Sequence, residues 1–421
     1  MPDPAARRRN PTGGRSTRII SLLVTSRKSS TSLAPQGTDR PAERHLRPAI
    51  SYDLAVVGAG IVGLAHALAA VRSGKRVVVI ERDRRANGAS IRNFGFITVT
   101  GQAAGDCWQM ARRSRDIWME VAEAAGIPVL HKGLVVAARR SEAEAVIEAF
   151  LKTDMGHDCQ RLTPFEALQY VPTLRTDTVK SVLYSPYELR VESKDAVPLL
   201  ARWLEEVHGV DFHWGTHVHA VDAPHLDTSS GRISAETVVV CPGDDFATLY
   251  SDRIAAYRPT RCKLQMLRVR PSAPVTLGAT VMSDLSLARY LGYAELPEAQ
   301  PLAELLDCEQ GEERRSGVHL IVVQSEDGSL VVGDSHDYDA TPDPFVPSRV
   351  GDLILGEMDA VLDLPARSVE ERWIGTYASA PGRWRFTDQP DEATRICVVT
   401  AGCGASTAFG IAEETIADLF G

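Results

Sequence analysis

The sequence predicts an α/β protein that combines a mainly parallel, doubly wound sheet with a second, α+β region built on a mixed, largely antiparallel sheet. Three observations lead to this fold class. A glycine-rich turn at 58–63 joins a short apolar strand to a helix. Two further apolar strands, within 236–243 and 396–400, run into glycine-containing turns. Between these segments the chain contains short strands separated by turn residues, which is typical of antiparallel pairing.

The size and charge of the chain exclude several classes of protein. Its 421 residues suffice for two or three domains, and 44% hydrophobic with 24% charged residues is an ordinary globular composition. The formal net charge is −9, but residues 1–48 contain nine Arg and one Lys against two Asp and one Glu and so carry +7. The rest therefore carries −16, which disfavours nucleic-acid binding because that function requires a basic surface.

The basic segment 1–49 is predicted to be a disordered tail, because it is rich in Arg, Ser, Thr and Pro. The alternatives are a start codon assigned too far upstream, an organelle-type transit peptide, or an arm that contacts nucleic acid or an acidic partner. Segment 54–71 is apolar but contains His66 and three glycines, so no membrane association is expected. The seven Cys are scattered without a Cys-x-x-Cys pair, which predicts free thiols, a cytoplasmic location and no metal site.

Residues 54–63 carry the pattern of a dinucleotide-binding turn. An apolar strand runs into the sequence Gly-x-Gly-x-x-Gly, and an Ala- and Leu-rich helix follows. Gly58 allows the tight turn, Gly60 lets the backbone approach a pyrophosphate, and Gly63 lets the helix pack closely on the strand. The strand, the turn and the helix together predict a Rossmann-type site.

The residues on either side of the helix complete this site. Ile61 and Val62 begin the helix, where free N–H groups can bind phosphate. Glu81 ends the second strand and is followed by Arg82. The Glu81 carboxylate can accept hydrogen bonds from a ribose, and an acid at this place disfavours the 2′-phosphate of NADP.

The segment after Glu81 distinguishes FAD from NAD. An NAD dehydrogenase would continue into a plain helix and a third strand, whereas residues 82–87 are polar and turn-rich. The following residues resemble the second phosphate and flavin contact of the FAD enzymes of the D-amino-acid oxidase, glycine oxidase and sarcosine oxidase group. The matching positions are Gly88, Ala89, Ser90 and Asn93.

Two later segments resemble the same group, so the resemblance covers roughly residues 50–421 and implies FAD as the cofactor. The strand within 236–243 is similar to the strand that returns to the nucleotide domain. Residues 396–414 are similar to the last flavin-binding element, in which loop N–H groups and a helix N-terminus face the flavin O2. The further cofactor contacts that the resemblance implies are Val218, Gly243, Gly402, Gly404, Ala405, Ser406 and Thr407.

Finer motifs are similar to one subfamily of this group. These are FAD oxidoreductases found beside phosphonate-degrading enzymes and proposed to act on N-methylated aminoethylphosphonate. The motifs lie at 92–96, 100–102, 190–193, 333–336 and 400–410.

The sequence also departs from the sarcosine oxidases in two places. Those enzymes attach their flavin through a Cys in a Cys-x-Tyr setting, and Gly375 stands at that position here, which predicts noncovalent FAD. They also carry a Lys over the flavin that promotes reaction with O2, in a segment that resembles 329–333. This chain has Val331 there and no adjacent Lys, although Lys263 is a candidate substitute. The electron acceptor is therefore O2 or another oxidant.

Two domains are predicted. The FAD-binding domain comprises 50–130, 191–258 and 371–421, and the substrate domain comprises 131–190 and 259–370. In the substrate domain, strands are predicted at 133–138 and 180–184, a hairpin at 319–332, a helix at 142–152 and an acidic surface loop at 299–316.

The resemblance implies hydride transfer from the substrate to flavin N5, followed by hydrolysis of the imine to an aldehyde and an amine. The protein then supplies orientation and charge matching. Cationic side chains near the flavin would hold an anionic group of the substrate. The candidates are Arg92, Arg190, Lys263 and His336, with Tyr290, Tyr338 and Glu192 as weaker ones.

We therefore expect an FAD-dependent oxidoreductase that acts on the C–N bond of a small anionic amine. N-methyl-2-aminoethylphosphonate or a related aminophosphonate is the first candidate substrate. An oxidase or dehydrogenase of glycine, sarcosine or a D-amino acid is the nearest alternative. An FAD-dependent RNA-modifying or assembly protein is an alternative of another class, which the acidic charge disfavours.

Overall fold

The computed structural model describes residues 51–421, so the predicted basic tail lies outside the described residues. The described part contains eighteen strands, eleven α-helices and two short 3₁₀ turns, Ala89–Ile91 and Asp154–Gly156. The strands are β1 (Ser51–Val57), β2 (Val77–Glu81), β3 (Phe96–Ile97), β4 (Val129–Ala138), β5 (Gln160–Leu162), β6 (Ser181–Val191), β7 (Asp211–Trp214), β8 (Val218–Asp222), β9 (His225–Thr228), β10 (Gly231–Val240), β11 (Thr260–Pro271), β12 (Thr280–Ser283), β13 (Ile321–Gln324), β14 (Leu330–Gly333), β15 (Asp337–Asp339), β16 (Arg367–Ser379), β17 (Arg385–Asp391) and β18 (Thr394–Val399). The helices are α1 (Ile61–Arg72), α2 (Asp106–Ala124), α3 (Ser141–Phe150), α4 (Pro164–Ala167), α5 (Ser193–His208), α6 (Ser251–Ala255), α7 (Leu291–Ala294), α8 (Ala299–Glu309), α9 (Gly311–Arg315), α10 (Ser348–Val361) and α11 (Gly404–Phe420).

The first sheet has the predicted parallel, doubly wound core. Its strand order is β17-β18-β10-β1-β2-β7, and β8 and β9 form a hairpin beside β10. The pairs β1/β2, β1/β10, β2/β7 and β10/β18 are parallel, whereas β17 is an antiparallel edge. Leu54 and Val56 face one hydrophobic cluster while Ala55 faces another, because a parallel sheet is covered on both sides.

The second sheet is mixed and largely antiparallel, as the sequence predicts. Its order is β15-β11-β14-β13-β12-β4-β6-β3, with β16 on β11 and β5 on β6, and only β12/β4 is parallel among these pairs. Strands β13 and β14 form the expected hairpin. Strand β16 pairs with β11 over its full length, so residues 371–379 are hydrogen-bonded within this sheet. The sequence predicts residues 371–379 to belong to the FAD-binding domain.

Helices α1, α2, α5 and α11 cover one face of the first sheet. Helix α11 lies especially close to α2, because a Cβ at Gly410 would come within 2.8 Å of the Met110 sulfur. The hydroxyl of Ser114 accepts a hydrogen bond from the Gly410 N–H at 2.9 Å. This packing fixes the start of α11, whose first residues line the same cavity as the start of α1.

Residues 299–316 form helices α8 and α9, so the surface loop predicted there is wrong. The acidic composition suggested a loop, but the segment has an amphipathic helical pattern. Leu302 and Leu306, four residues apart, are both buried. Among the helices of residues 51–421, none is both long enough and apolar enough to cross a membrane.

Candidate active site

The glycine-rich turn between β1 and α1 is closed too tightly for side chains. Gly58 has a φ of +106°, and a Cβ there would lie 2.5 Å from the carbonyl oxygen of Cys241. A Cβ at Gly63 would overlap the carbonyl oxygen of Gly58. The turn therefore presents bare backbone at the carboxyl ends of β1 and β10, where open α/β sheets bind their ligands.

Polar groups surround this turn. The N–H of Ile61 donates to the Ser90 hydroxyl at 2.9 Å, and the N–H of Ala59 donates to the Glu81 carboxylate at 2.8 Å. The same carboxylate accepts from the N–H of Asp83 at 3.0 Å. Because Gly60 caps α1 without a side chain, the remaining N–H groups of the first helical turn can bind an acceptor from outside the protein.

One long cavity extends from this turn to the second sheet, where Leu264 and Ile321 line it. Sixteen of the residues predicted to bind the cofactor are in its wall, namely Gly58, Gly60, Ile61, Val62, Gly63, Glu81, Arg82, Gly88, Ala89, Ser90, Asn93, Val218, Gly243, Gly402, Gly404 and Ala405. The cavity thus brings together the three segments for which the sequence predicts contacts to one cofactor, namely the N-terminal turn with the residues after β2, the end of 236–243, and 396–414.

Ser406 and Thr407, the other two predicted cofactor residues, do not line the cavity. The Ser406 hydroxyl accepts from the N–H of Thr98 at 2.9 Å. The Thr407 hydroxyl donates to the carbonyl of Cys403 at 3.0 Å. Both side chains are buried and bonded within the protein, and they brace the N-terminal turn of α11.

The far end of the cavity carries a cluster of buried ionisable groups. His319, Asp334 and His336 all line it, and Asp334 faces both imidazoles, at 3.4 Å from Nδ1 of His319 and 3.8 Å from Nε2 of His336. Burial raises the pKa of Asp334 to about 8. Burial also lowers the pKa of both histidines well below the usual range, an effect that the charge of Arg289 increases. Tyr290 and Tyr377 line the cavity beside the cluster.

The four predicted substrate-binding cations lie in different places. Arg92 and His336 line the cavity, but Arg190 and Lys263 do not. Arg190 is fully buried between Glu192 at 3.0 Å and the hydroxyl of Ser325 at 3.3 Å.

Lys263 lines a separate hollow on the far side of Arg92. Its ammonium group is paired with Asp337 at 2.9 Å, and it donates to the carbonyls of Asp343 and Phe345. Both Arg190 and Lys263 therefore have binding partners within the protein. The positions of these residues in the sequence did not indicate those partners.

Arg289 is a cation that the sequence analysis missed. It precedes Tyr290 after the apolar strand β12, and its guanidinium donates to the hydroxyl of Tyr338 at 3.0 Å. Within residues 51–421 it has no carboxylate at ion-pair distance, yet its charge acts on Asp334, His319 and His336. The only sequence signal was an Arg between apolar and aromatic residues at the end of a strand.

The fold and the cavity together define the class of this protein, which is a Rossmann-type oxidoreductase that holds a dinucleotide cofactor against a second sheet. The side-chain-free turn, the uncapped start of α1 and the Glu81 carboxylate fit the pyrophosphate and ribose of FAD. The match to the family of FAD dependent oxidoreductases, DAO, covers residues 53–419, and the chain belongs to this family. Its cofactor is FAD.

Individual relatives agree with the family. The chain is 27% identical over 206 residues to a glycine oxidase of Geobacillus kaustophilus (strain HTA426). This match covers 46% of the chain and spans about half, 54%, of that relative's length.

Solved structures show the same fold. The glycine oxidase of Bacillus cereus has a TM-score of 0.67 at 19% identity, over 87% of this chain and 96% of that one. The L-proline dehydrogenase of P. horikoshii has a TM-score of 0.69 at 18% identity, over 87% of this chain and 93% of that one.

Proposed function

We propose that this protein oxidises the C–N bond of a small amine that carries an anionic group. The observation that carries the proposal is two guanidinium groups, that of Arg92 in the cavity wall and that of Arg289 outside the wall, bonded to Tyr338, whose ring centroid lies 6.4 Å from that of His336. Arg92 lines the cavity, and Arg289 acts electrostatically on three of its lining residues. Neither has an ion-pair partner within the described residues. Cations in a partly buried site that lack an internal carboxylate are suited to bind an anion from outside.

The chain's own residues position the substrate. Leu264, Ile321 and Phe94 give the cavity an apolar wall that excludes water and strengthens the attraction between the two Arg residues and an anion. Tyr290 and Tyr377 bound the space in which the amine would lie. A bound FAD would supply the hydride acceptor for the carbon next to the amine nitrogen.

The relatives support an amine as the substrate. One curated relative and two similar structures are glycine oxidases, and another similar structure is an iminodiacetate oxidase from Chelativorans sp. BNC1. These names describe amines that bear carboxylates. An oxidase or dehydrogenase of glycine, sarcosine or a D-amino acid is therefore the second candidate function.

We propose an aminophosphonate, with N-methyl-2-aminoethylphosphonate as the first candidate, because two guanidinium groups match a dianion better than a single carboxylate. The support comes from Arg92 and Arg289 and from the subfamily motifs of the sequence. We also propose that the first sheet carries FAD and the second sheet carries the substrate. A cytoplasmic location agrees with the free state of all seven cysteines.

The residues that line the cavity bear on the electron acceptor. Val331 is buried in β14, and no Lys from residues 51–421 lines the cavity. We propose O2 or another oxidant as the electron acceptor of the reaction. Reoxidation in air slower than about 1 s⁻¹, against a typical turnover near 10 s⁻¹, would exclude an oxidase.

The test is a turnover assay with an electron-accepting dye and three amines of similar size. N-methyl-2-aminoethylphosphonate has an anionic phosphonate, sarcosine has a carboxylate, and N-methylethanolamine has a neutral hydroxyl. We expect the phosphonate to react with the highest kcat/KM and the neutral amine to be poorest by at least about 10-fold, because a charge-assisted pair contributes about 1.5–3 kcal/mol. Preference for sarcosine would select the amino-acid function, and equal rates with the neutral amine would overturn the proposal. Identification of the aldehyde and amine products shows which C–N bond is oxidised.

A further inference from the structure

Three side chains at the substrate end of the cavity converge without bonding to one another. One ring nitrogen of His319, one carboxylate oxygen of Asp334 and one ring nitrogen of His336 all lie within 4.8 Å of one another. The three residues are between 3% and 9% exposed. The antiparallel pairing that precedes β13 and follows β14 brings them together, since His319 and Asp334 exchange main-chain hydrogen bonds at 3.0 and 3.3 Å.

One separation within this cluster matches that of two ligands on a common ion. Oδ1 of Asp334 lies 3.4 Å from Nδ1 of His319, its Oδ2 lies 3.8 Å from Nε2 of His336, and neither contact is a hydrogen bond. Two ligands about 2.1 Å from a tetrahedral metal ion are separated by about 3.4 Å. The side chains are therefore spaced to share a metal ion rather than a proton.

The donor chemistry also fits a metal ion. Nδ1 of His336 lies 2.9 Å from the carbonyl of Gly317, which can only accept a hydrogen bond. Nδ1 therefore carries the proton, and the Nε2 lone pair is directed to the cluster. Metal-binding histidines are commonly oriented in this way, by a hydrogen bond from the other ring nitrogen to a carbonyl. Nδ1 of His319 and Oδ1 of Asp334 are buried and have no hydrogen-bond partner among residues 51–421.

We propose that His319, Asp334 and His336 bind one divalent metal ion of the Zn²⁺ type in the wall of the active-site cavity. Two nitrogen ligands and one carboxylate leave a fourth position open to the cavity, as in zinc sites that bind a water or a substrate oxygen. We predicted no metal site from the sequence because the cysteines are scattered, but these ligands are His and Asp residues joined by strand pairing. The inference goes beyond the proposed function and does not depend on the substrate.

Arg289 sets the electrostatics of this site. Its guanidinium donates to Tyr338, whose ring centroid lies 6.4 Å from that of His336, so a bound cation meets a like charge. An anion in the open position would lie between the ion and the guanidinium and relieve that repulsion. We therefore expect Arg289→Gln to tighten Zn²⁺ binding to the enzyme free of substrate.

The experiment measures Zn²⁺ on the purified holoenzyme. The protein is dialysed against a chelator, titrated with Zn²⁺ alone by calorimetry, and analysed for zinc after desalting. We expect one ion per chain, and for Asp334→Asn and His319→Gln a loss of affinity larger than the 10- to 100-fold that a change outside the ligand shell costs. His157→Asn is the matched control, because His157 is an exposed histidine that also faces an aspartate, Asp158, at 3.0 Å.

Flavin content and circular dichroism show whether each variant is folded. If the variants fail to fold, Co²⁺ added to the wild-type holoenzyme provides a second measurement, since a tetrahedral site with nitrogen and oxygen ligands gives intense absorption beyond the flavin bands. Failure to retain zinc, unchanged binding in folded Asp334→Asn, or octahedral-type Co²⁺ spectra would each overturn the proposal. Flavin reduction by the amine remains a separate readout, so this proposal and the proposed function can fail independently.

Discussion

The guanidinium of Arg289 donates a 3.0 Å hydrogen bond to the hydroxyl of Tyr338, a neutral partner that leaves its charge uncompensated. Arg289 follows β12, whereas Tyr338 belongs to β15, so the contact connects two distant parts of the second sheet. A charged group held in this way is oriented before a ligand arrives, and less entropy is lost when the ligand binds. The relationship makes Arg289 the side chain whose change should most directly affect an anionic substrate.

Arg289→Gln should raise the Kd of the anionic amine by about 10- to 100-fold, because it removes a charge-assisted contact of about 1.5–3 kcal/mol. Tyr338→Phe keeps the charge and should have a much smaller effect. The Kd is measured from flavin spectral changes in anaerobic titrations. Arg349→Gln is the control, since Arg349 is an exposed arginine already paired with Glu312 at 2.7 Å. Equal affinities for Arg289→Gln and the control would exclude a role of Arg289 in substrate binding.

Gly63→Ala should abolish FAD binding or prevent folding of the nucleotide site, because the added Cβ overlaps the carbonyl oxygen of Gly58. The FAD-to-protein ratio after purification and the thermal midpoint measure this effect. Gly356→Ala is the matched control, since a Cβ at Gly356 meets no atom within 4 Å and its helix α10 favours Ala over Gly. A Gly63→Ala protein with a full complement of FAD would contradict the close approach of Gly63 to the carbonyl oxygen of Gly58.

Glu81→Gln should weaken FAD binding by about 10-fold or more, because the carboxylate holds the N–H groups of Ala59 and Asp83 and is placed for the ribose. Quenching of FAD fluorescence on titration with apoprotein gives the Kd. Asp83→Asn serves as the control, since it changes an exposed carboxylate in the same loop. If the Glu81→Gln variant has wild-type affinity, the Glu81 carboxylate does not bind the ribose and only accepts the hydrogen bonds from Ala59 and Asp83.

Acid precipitation should release all of the yellow cofactor into the supernatant. Gly375 lies in the cavity wall where the covalent sarcosine oxidases carry their attaching Cys. Cys241 and Cys397 also line the cavity, and burial raises the pKa of both thiols, to about 11 for Cys397. Neither is therefore present as a reactive thiolate near neutral pH. Yellow colour that remains in the denatured pellet would show a covalent bond.

The sequence predicted the nucleotide end of the cavity better than the substrate end. Gly58, Gly63 and Glu81 lie within one β-α-β segment, so their chemistry follows from local order and spacing. Arg289, His319 and Asp334 meet only through strand pairing in the second sheet, which no local pattern specifies. The ion pair of Lys263 depends on strand pairing as well, because its partner Asp337 is contributed by β15, the neighbouring strand.

Anaerobic mixing of the yellow holoenzyme with N-methyl-2-aminoethylphosphonate tests the central claim most directly. The visible flavin absorbance reports cofactor reduction without any assumption about the electron acceptor. We expect rapid and complete bleaching by the phosphonate, slower bleaching in Arg289→Gln at the same concentration, and the slowest bleaching with N-methylethanolamine. An absorbance that stays unchanged with the phosphonate and with sarcosine would contradict the claim that this cavity oxidises small anionic amines.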